Sequence, residues 1–260
     1  MSLRSVPAVF CLFLTLLSVT VATADSLNVA VASNFTGTLH KLAERFKSKS
    51  GHEVLISSAS TGKIYTQIKN GAPFDVFMSA DETHADLLVE EGAGDASQAA
   101  IYAVGKLVFI SNIAMPGKCQ DLLSDARLKR LAIANPQTAP YGMAAQQVMQ
   151  HLGVWNKLQS KLVQGENIAQ TVQFVTSASA DAGFVAKSIL VGDAAVKRAC
   201  EWAVPDELYT PISQKMVLLN RSKDKPAVLA FWDFLRTAEA AGIIRASGYD
   251  VPKTKIGAQH

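Results

Sequence analysis

Short apolar runs alternate with segments of helical period from residue 25 onward. Residues 27–32 form an apolar run of strand length; Leu39, Leu42, Ala43 and Phe46 then fall on one face of a helix that Gly51 stops. A second run at 54–56 precedes a short helix with Ile64 and Ile68 on one side, and a third at 75–78 precedes a helix rich in Asp and Glu. The rhythm continues with strands expected at 107–110, 131–134, 183–185 and 216–219. Residues 143–152 read as a helix, Ile168, Val172 and Val175 share a helical face, and 227–241 reads as one helix bearing Phe231, Trp232, Phe234 and Leu235. This alternation predicts parallel-dominated sheets covered by helices on both faces. With 260 residues, the chain is long enough for two such α/β lobes. No internal repeat, low-complexity tract or Pro/Gly linker separates them. The chain is therefore expected to cross on short strands near residues 105 and 210, giving one lobe from 25–104 with 211–260 and a second from 105–210.

The first 24 residues stand apart from this pattern. Arg4 supplies a positive start, an apolar stretch follows from about Val9 to Val21, and Ala22-Thr23-Ala24 has the small-x-small form that signal peptidase reads. The stretch is shorter than the roughly 20 residues of a spanning helix, so residues 1–24 are expected to be a signal peptide cleaved after Ala24. A secreted, periplasmic protein follows. Cleavage removes Cys11 and leaves Cys119 and Cys200. In an oxidising compartment these are candidates for one disulfide, the alternative being two separate buried thiols. Loss of Arg4 lowers the formal charge from +3 to +2. That is too weak, without any Lys/Arg cluster, to point to nucleic acid.

Candidate chemistry concentrates where strands run into helices. Residues 32–36 (Ala-Ser-Asn-Phe-Thr) follow the first strand, and residues 57–62 (Ser-Ser-Ala-Ser-Thr-Gly) follow the second. In the second half, residues 135–142 and 165–168 form comparable junctions, with Tyr141 supplying a phenol and Gly142 permitting close backbone approach. Helix N-termini offer unpaired N–H groups and the positive end of the helix dipole, which makes such junctions anion sites. Ser33, Asn34, Ser60 and Thr61 also suit a plain capping role. A phosphate-binding loop is excluded at Thr61-Gly62-Lys63, because Ser57 stands where the first glycine belongs and Ile64 follows the lysine. Lys63 then reads as a solvated surface lysine, and Asp81 and Glu82 as charges at a helix start. The 5 histidines are scattered, without metal-ligand spacing or a nucleophile elbow, so nothing nominates an enzyme.

Taken in order, these junctions resemble the periplasmic molybdate-binding proteins of ABC transporters. The matching pieces are residues 29–35, Ser60-Thr61-Gly62-Lys63, the Gly-Ala-Pro-Phe-Asp-Val-Phe-Met-Ser-Ala-Asp block at 71–81, Tyr141-Gly142, and 182–185. The resemblance covers essentially the whole chain after residue 24. It implies two Rossmann-like lobes with a hinge, the type II periplasmic binding protein fold, closing on an oxyanion held by neutral donors. Carried over by position, it implies Ser33, Asn34 and Thr61 as ligands from the first lobe and Tyr141 and Ile168 from the second. Thr61 replaces the more usual Ser, and Ala186 stands where another branch has a Tyr. The implied cargo is molybdate or tungstate, the partner a membrane permease and the state a monomer; no cofactor is implied. The residues alone leave open another oxyanion such as sulfate, a small organic anion, a sensor that signals without transport, or a secreted α/β enzyme.

Overall fold

The computed structural model describes residues 25–193 and 196–252; the expected signal peptide, with Cys11, lies outside the described residues. The chain begins with β1 (Ser26–Ala32), α1 (Thr36–Ser50), β2 (Glu53–Ala59), α2 (Thr61–Lys69), β3 (Val76–Met78), α3 (Thr83–Glu90) and the long β4 (Gly94–Gly105). After Lys106, β5 (Leu107–Ser111) starts a second unit. It continues through β6 (Leu131–Ala134), α4 (Pro140–His151), α5 (Trp155–Leu158), β7 (Leu162–Gly165), α6 (Ile168–Thr176), β8 (Ala182–Ala186), α7 (Lys187–Gly192) and β9 (Cys200–Ala203). The chain then returns through β10 (Ile212–Leu219), α8 (Pro226–Leu235) and α9 (Ala238–Ala246).

Two five-stranded sheets result, ordered β2-β1-β3-β10-β4 and β7-β6-β8-β5-β9. The expected two α/β lobes are present. The sheets, however, are mixed and not parallel-dominated. In the first, β1 pairs in parallel with β2 and β3, while β10 runs antiparallel to β3 and β4. In the second, β6 is parallel to β7 and β8, and β5 is antiparallel to β8 and β9. The reason is topological. One strand of each sheet, β10 or β5, arrives directly from the other lobe and not through a right-handed crossover helix, so it enters in the opposite sense.

Period-2 alternation decides which helices cover which face. In β1, Leu27, Val29 and Val31 face a core shared with Phe35, Leu39 and Leu42 of the α1 region and with Phe231 and Trp232 of α8. Ala30 faces the opposite core, with Ile64 and Ile68 of α2 and Leu88 of α3. In β5, Leu107 and Phe109 face one core and Val108 and Ile110 the other. Each fully buried Phe or Leu here contributes about 2 kcal/mol of apolar transfer.

Three strands escape the hydrophobic pattern. β4, β7 and β9 lie at or lead to sheet edges and carry intermediate or exposed residues along much of their length. The single helix expected over 227–241 is two. Thr237 donates its hydroxyl to the Phe234 carbonyl at 2.7 Å and accepts the Ala240 amide at 3.2 Å, so it ends α8 and caps α9. Cys119 and Cys200 are joined in a disulfide with their Cα atoms 5.7 Å apart. The bond ties the start of β9 to the connection between β5 and β6, closing a long loop and so restricting the unfolded chain.

The block at 71–81 also has a visible architectural role. Asp75, whose side chain is 1% exposed, accepts the Asn28 amide at 2.7 Å and pairs with Lys225 at 2.8 Å. The Ser222 hydroxyl donates to it as well. Burial alone would raise this carboxyl, but the Asn28 amide, the Lys225 ammonium and the Ser222 hydroxyl outweigh it and hold it below the ordinary carboxylate range. One carboxylate therefore pins β1, β3 and the segment leading into α8.

Candidate functional site

Four strand-to-helix junctions meet between the lobes. From the first lobe come the turn Ser33–Phe35 after β1 and the start of α2 at Thr61. From the second come the start of α4 at Pro140 and Tyr141 and the start of α6 at Ile168. Three of these are true helix N-termini, whose first amides have no intrahelical acceptor. The five residues singled out by resemblance, Ser33, Asn34, Thr61, Tyr141 and Ile168, all line one small cavity, joined by Ser60, Ala80 and Asn167. No charged side chain is among its lining residues.

The local sequence explains each placement. Pro140 fills the first helical position of α4, where a missing N–H costs nothing. Gly142 is required two residues on, because a Cβ there would lie 2.2 Å from the Ala134 carbonyl oxygen. Asn167 caps α6, its Oδ1 accepting the Gln170 amide at 3.1 Å, which leaves the Ile168 amide at the cavity end of the helix. Thr61 Oγ1 accepts the Ala80 amide at 3.1 Å, tying α2 to the end of β3 and leaving the Thr61 hydroxyl proton available to donate.

Tyr141 and Asn34 take unequal roles. The Tyr141 phenol is buried, and burial, followed by the neighbouring Tyr249, Tyr102 and Tyr209, pushes its ionisation well above the ordinary value. It stays a protonated donor at any physiological pH. Gln214 Nε2 donates to the phenol oxygen at 3.3 Å, so the phenol's own proton is directed elsewhere. A Cβ at Gly105 would fall 2.1 Å from this oxygen, which explains a glycine at the crossing between lobes. Asn34, by contrast, spends both side-chain protons internally, donating to Gln214 Oε1 at 3.0 Å and to the Tyr249 oxygen at 2.9 Å. Tyr249 donates to the Asn34 carbonyl at 2.7 Å. From Asn34, a donor to a ligand must come from the backbone.

Gln214 is the residue that sequence reasoning missed. It is fully buried on β10, and its Oε1 accepts from Asn34 and, at 2.9 Å, from Tyr102. Through Nε2 it reaches Tyr141 of the other lobe. The only signal in the sequence was a polar residue within an otherwise apolar strand.

The lobes are joined across the cleft close to this cavity. The Gly62 amide donates to the Thr138 carbonyl at 3.0 Å, and the Ser188 hydroxyl donates to the Asn34 carbonyl at 3.0 Å. Lys63 is on the surface as expected, yet it is not merely solvated: it pairs with Glu166 of the opposite lobe. Being half exposed on both sides, this pair adds little to stability but favours the closed arrangement. Asp81 does serve a helix start, accepting the His84 amide at 2.9 Å and the Ser79 hydroxyl at 3.0 Å. Among the described residues no group of three or more His, Cys, Asp or Glu could hold a metal ion.

A buried oxyanion is costly unless each oxygen is hydrogen-bonded. Hydroxyls, a phenol and helix-terminal amides converging without a lysine or arginine are the donor set that can accept one. The model of the bacterial extracellular solute-binding protein family matches residues 27–250. The molybdate-binding protein ModA of Azotobacter vinelandii is 45% identical over 231 residues, covering 88% of this chain and 91% of that one. The ModA of Rhodobacter capsulatus is 43% identical over 230 residues, covering 88% and 89%. Among solved structures, the Azotobacter vinelandii periplasmic molybdate-binding protein superposes with a TM-score of 0.82 at 38% identity, covering 87% of this chain and 100% of that one. This chain belongs to the bacterial extracellular solute-binding protein family, alongside the molybdate-binding proteins ModA of these bacteria.

Proposed function

We propose that the protein captures molybdate, and tungstate as well, between its two lobes in the periplasm and delivers it to the membrane permease of an ABC transporter. The observation that carries this reading is the uncharged, donor-lined cavity between helix N-termini of opposite lobes; the relatives named for molybdate binding support it. We take Ser33, Asn34 and Thr61 as the contacts from one lobe, formed by 25–104 with 211–260, and Tyr141 and Ile168 as those from the other, formed by 105–210. Asn34 and Ile168 contribute backbone amides, Ser33, Thr61 and Tyr141 their O–H groups.

Without a lysine or arginine in the lining, discrimination rests on size and protonation. A rigid shell set for molybdate leaves the smaller sulfate with long bonds. Monoprotonated phosphate presents an O–H to a wall of donors that offers it no acceptor. Closure couples capture to shape, because donors from both lobes are satisfied only when the cleft is shut, and the permease then reads the closed form. On this reading the signal peptide is cleaved after Ala24, the mature protein is a monomer and its role is transport, as the names of the solute-binding relatives support.

The test is calorimetric. Ser33→Ala and Tyr141→Phe each remove one donor to a charged acceptor and are expected to weaken molybdate binding by about 1–3 kcal/mol. Unchanged affinity in both variants would place the ligand elsewhere.

A further inference from the structure

We propose that the Ser60 hydroxyl is a direct donor to the bound oxyanion, a contact additional to the five carried by resemblance; the proposal rests on the reading of the cavity as an oxyanion site. Ser60 immediately precedes α2 and is 2% exposed. At that position a serine hydroxyl ordinarily accepts an amide from the first turn of its helix. Here it does not: Ser60 makes no capping bond, and its Oγ is buried with no hydrogen-bond partner.

One first-turn amide that could have served it is committed elsewhere. The Gly62 amide, second in the helix, crosses the cleft to the Thr138 carbonyl at 3.0 Å, and the Ile64 amide is taken by the Ser60 backbone carbonyl at 3.1 Å. The cross-cleft bond thus draws off a natural partner of the Ser60 hydroxyl in the closed arrangement. Ser60 lines the same cavity as Ser33, Thr61, Tyr141 and Ile168. A buried O–H with no acceptor among its protein neighbours, on a wall of donors, is suited to an acceptor that arrives with the cargo. An oxyanion is such an acceptor, and closure around it would turn an unsatisfied hydroxyl into a charge-assisted bond.

The experiment uses the mature protein and sodium molybdate. Affinity is measured by calorimetry for wild type, Ser60→Ala and Ser60→Gly, and ligand-free thermal midpoints are measured for all three. Glycine is tolerated at helix starts, so the second variant keeps α2 intact while removing the hydroxyl. The proposal expects a rise in Kd of about 10- to 100-fold in both variants, as for a lost bond to a charged group, with ligand-free midpoints close to wild type. A Kd within twofold of wild type in either folded variant overturns it, as does a lowered ligand-free midpoint with unchanged Kd, which would make Ser60 a helix cap. If wild type itself fails to bind molybdate, the oxyanion reading falls, and this proposal with it.

Discussion

Gly142→Ala is expected to destabilise the protein by about 3 kcal/mol and to weaken ligand binding at the same time. The added Cβ would sit 2.2 Å from the Ala134 carbonyl oxygen, 2.7 Å from its carbon and 2.9 Å from the Asn135 carbonyl carbon. All three are backbone atoms, at the end of β6 and in the turn beyond it, so no side-chain rotation relieves the clash. Either β6 or the first turn of α4 must move. Because Tyr141 is the adjacent residue of that turn, the donor it brings to the cavity moves too. For a chain of this length the stability loss corresponds to a fall in Tm of about 6–12 °C. Gly242→Ala is the matched control: it lies within α9, where an added Cβ meets nothing within 4 Å. Removing a glycine from such a helix is expected to stabilise by about 0.5–1 kcal/mol. Equal, small effects for the two variants would contradict the packing described for α4.

Asp75→Asn is expected to cost about 2–4 kcal/mol at pH 7, since it removes the charge from a carboxylate held by an amide, a hydroxyl and an ammonium. The effect depends on pH with a definite sign. The folded-state pKa lies below the ordinary value, so the stabilisation is fully present above the unfolded pKa of about 4 and is lost as pH falls through the lower folded value. Urea unfolding at pH 7 and at about pH 3 should therefore show a large difference between wild type and variant at the first pH and a smaller one at the second. A difference that is the same at both pH values would mean that the charge is not what holds this junction. The predicted loss is structural: Asp75 touches β1 and the segment before α8, and the oxyanion cavity lies beyond the other end of β1.

Much of this molecule is legible in its sequence because the informative elements are local. The apolar run of β1 leading into Ser33 and Asn34, and the hydroxyl-rich turn before α2, announce strand-to-helix junctions without reference to the rest of the chain. Two α/β lobes follow from such features, the type II arrangement from the family resemblance, and the disulfide is the first of two readings of Cys119 and Cys200 in an oxidising compartment. What the sequence hides is tertiary. β4 is half exposed along its length and has no apolar period to betray it. The antiparallel sense of β5 and β10 depends on where the chain has come from and not on composition. Gln214 reads as a stray polar residue until Asn34, Tyr102 and Tyr141 are brought around it from distant parts of the chain. Resemblance implies Asn34 as a ligand, and the structure places its side chain in that network. Thr237 divides α8 from α9 by two hydrogen bonds, where helical periodicity continues unbroken.

A cavity of neutral donors is expected to select molybdate over smaller tetrahedral anions. Titrating the purified mature protein with molybdate, sulfate and phosphate in one calorimetric series tests it most directly. Tight, stoichiometric binding of one molybdate per chain is expected, with sulfate and phosphate much weaker; sulfate or phosphate binding as tightly as molybdate, or more tightly, would overturn the assignment.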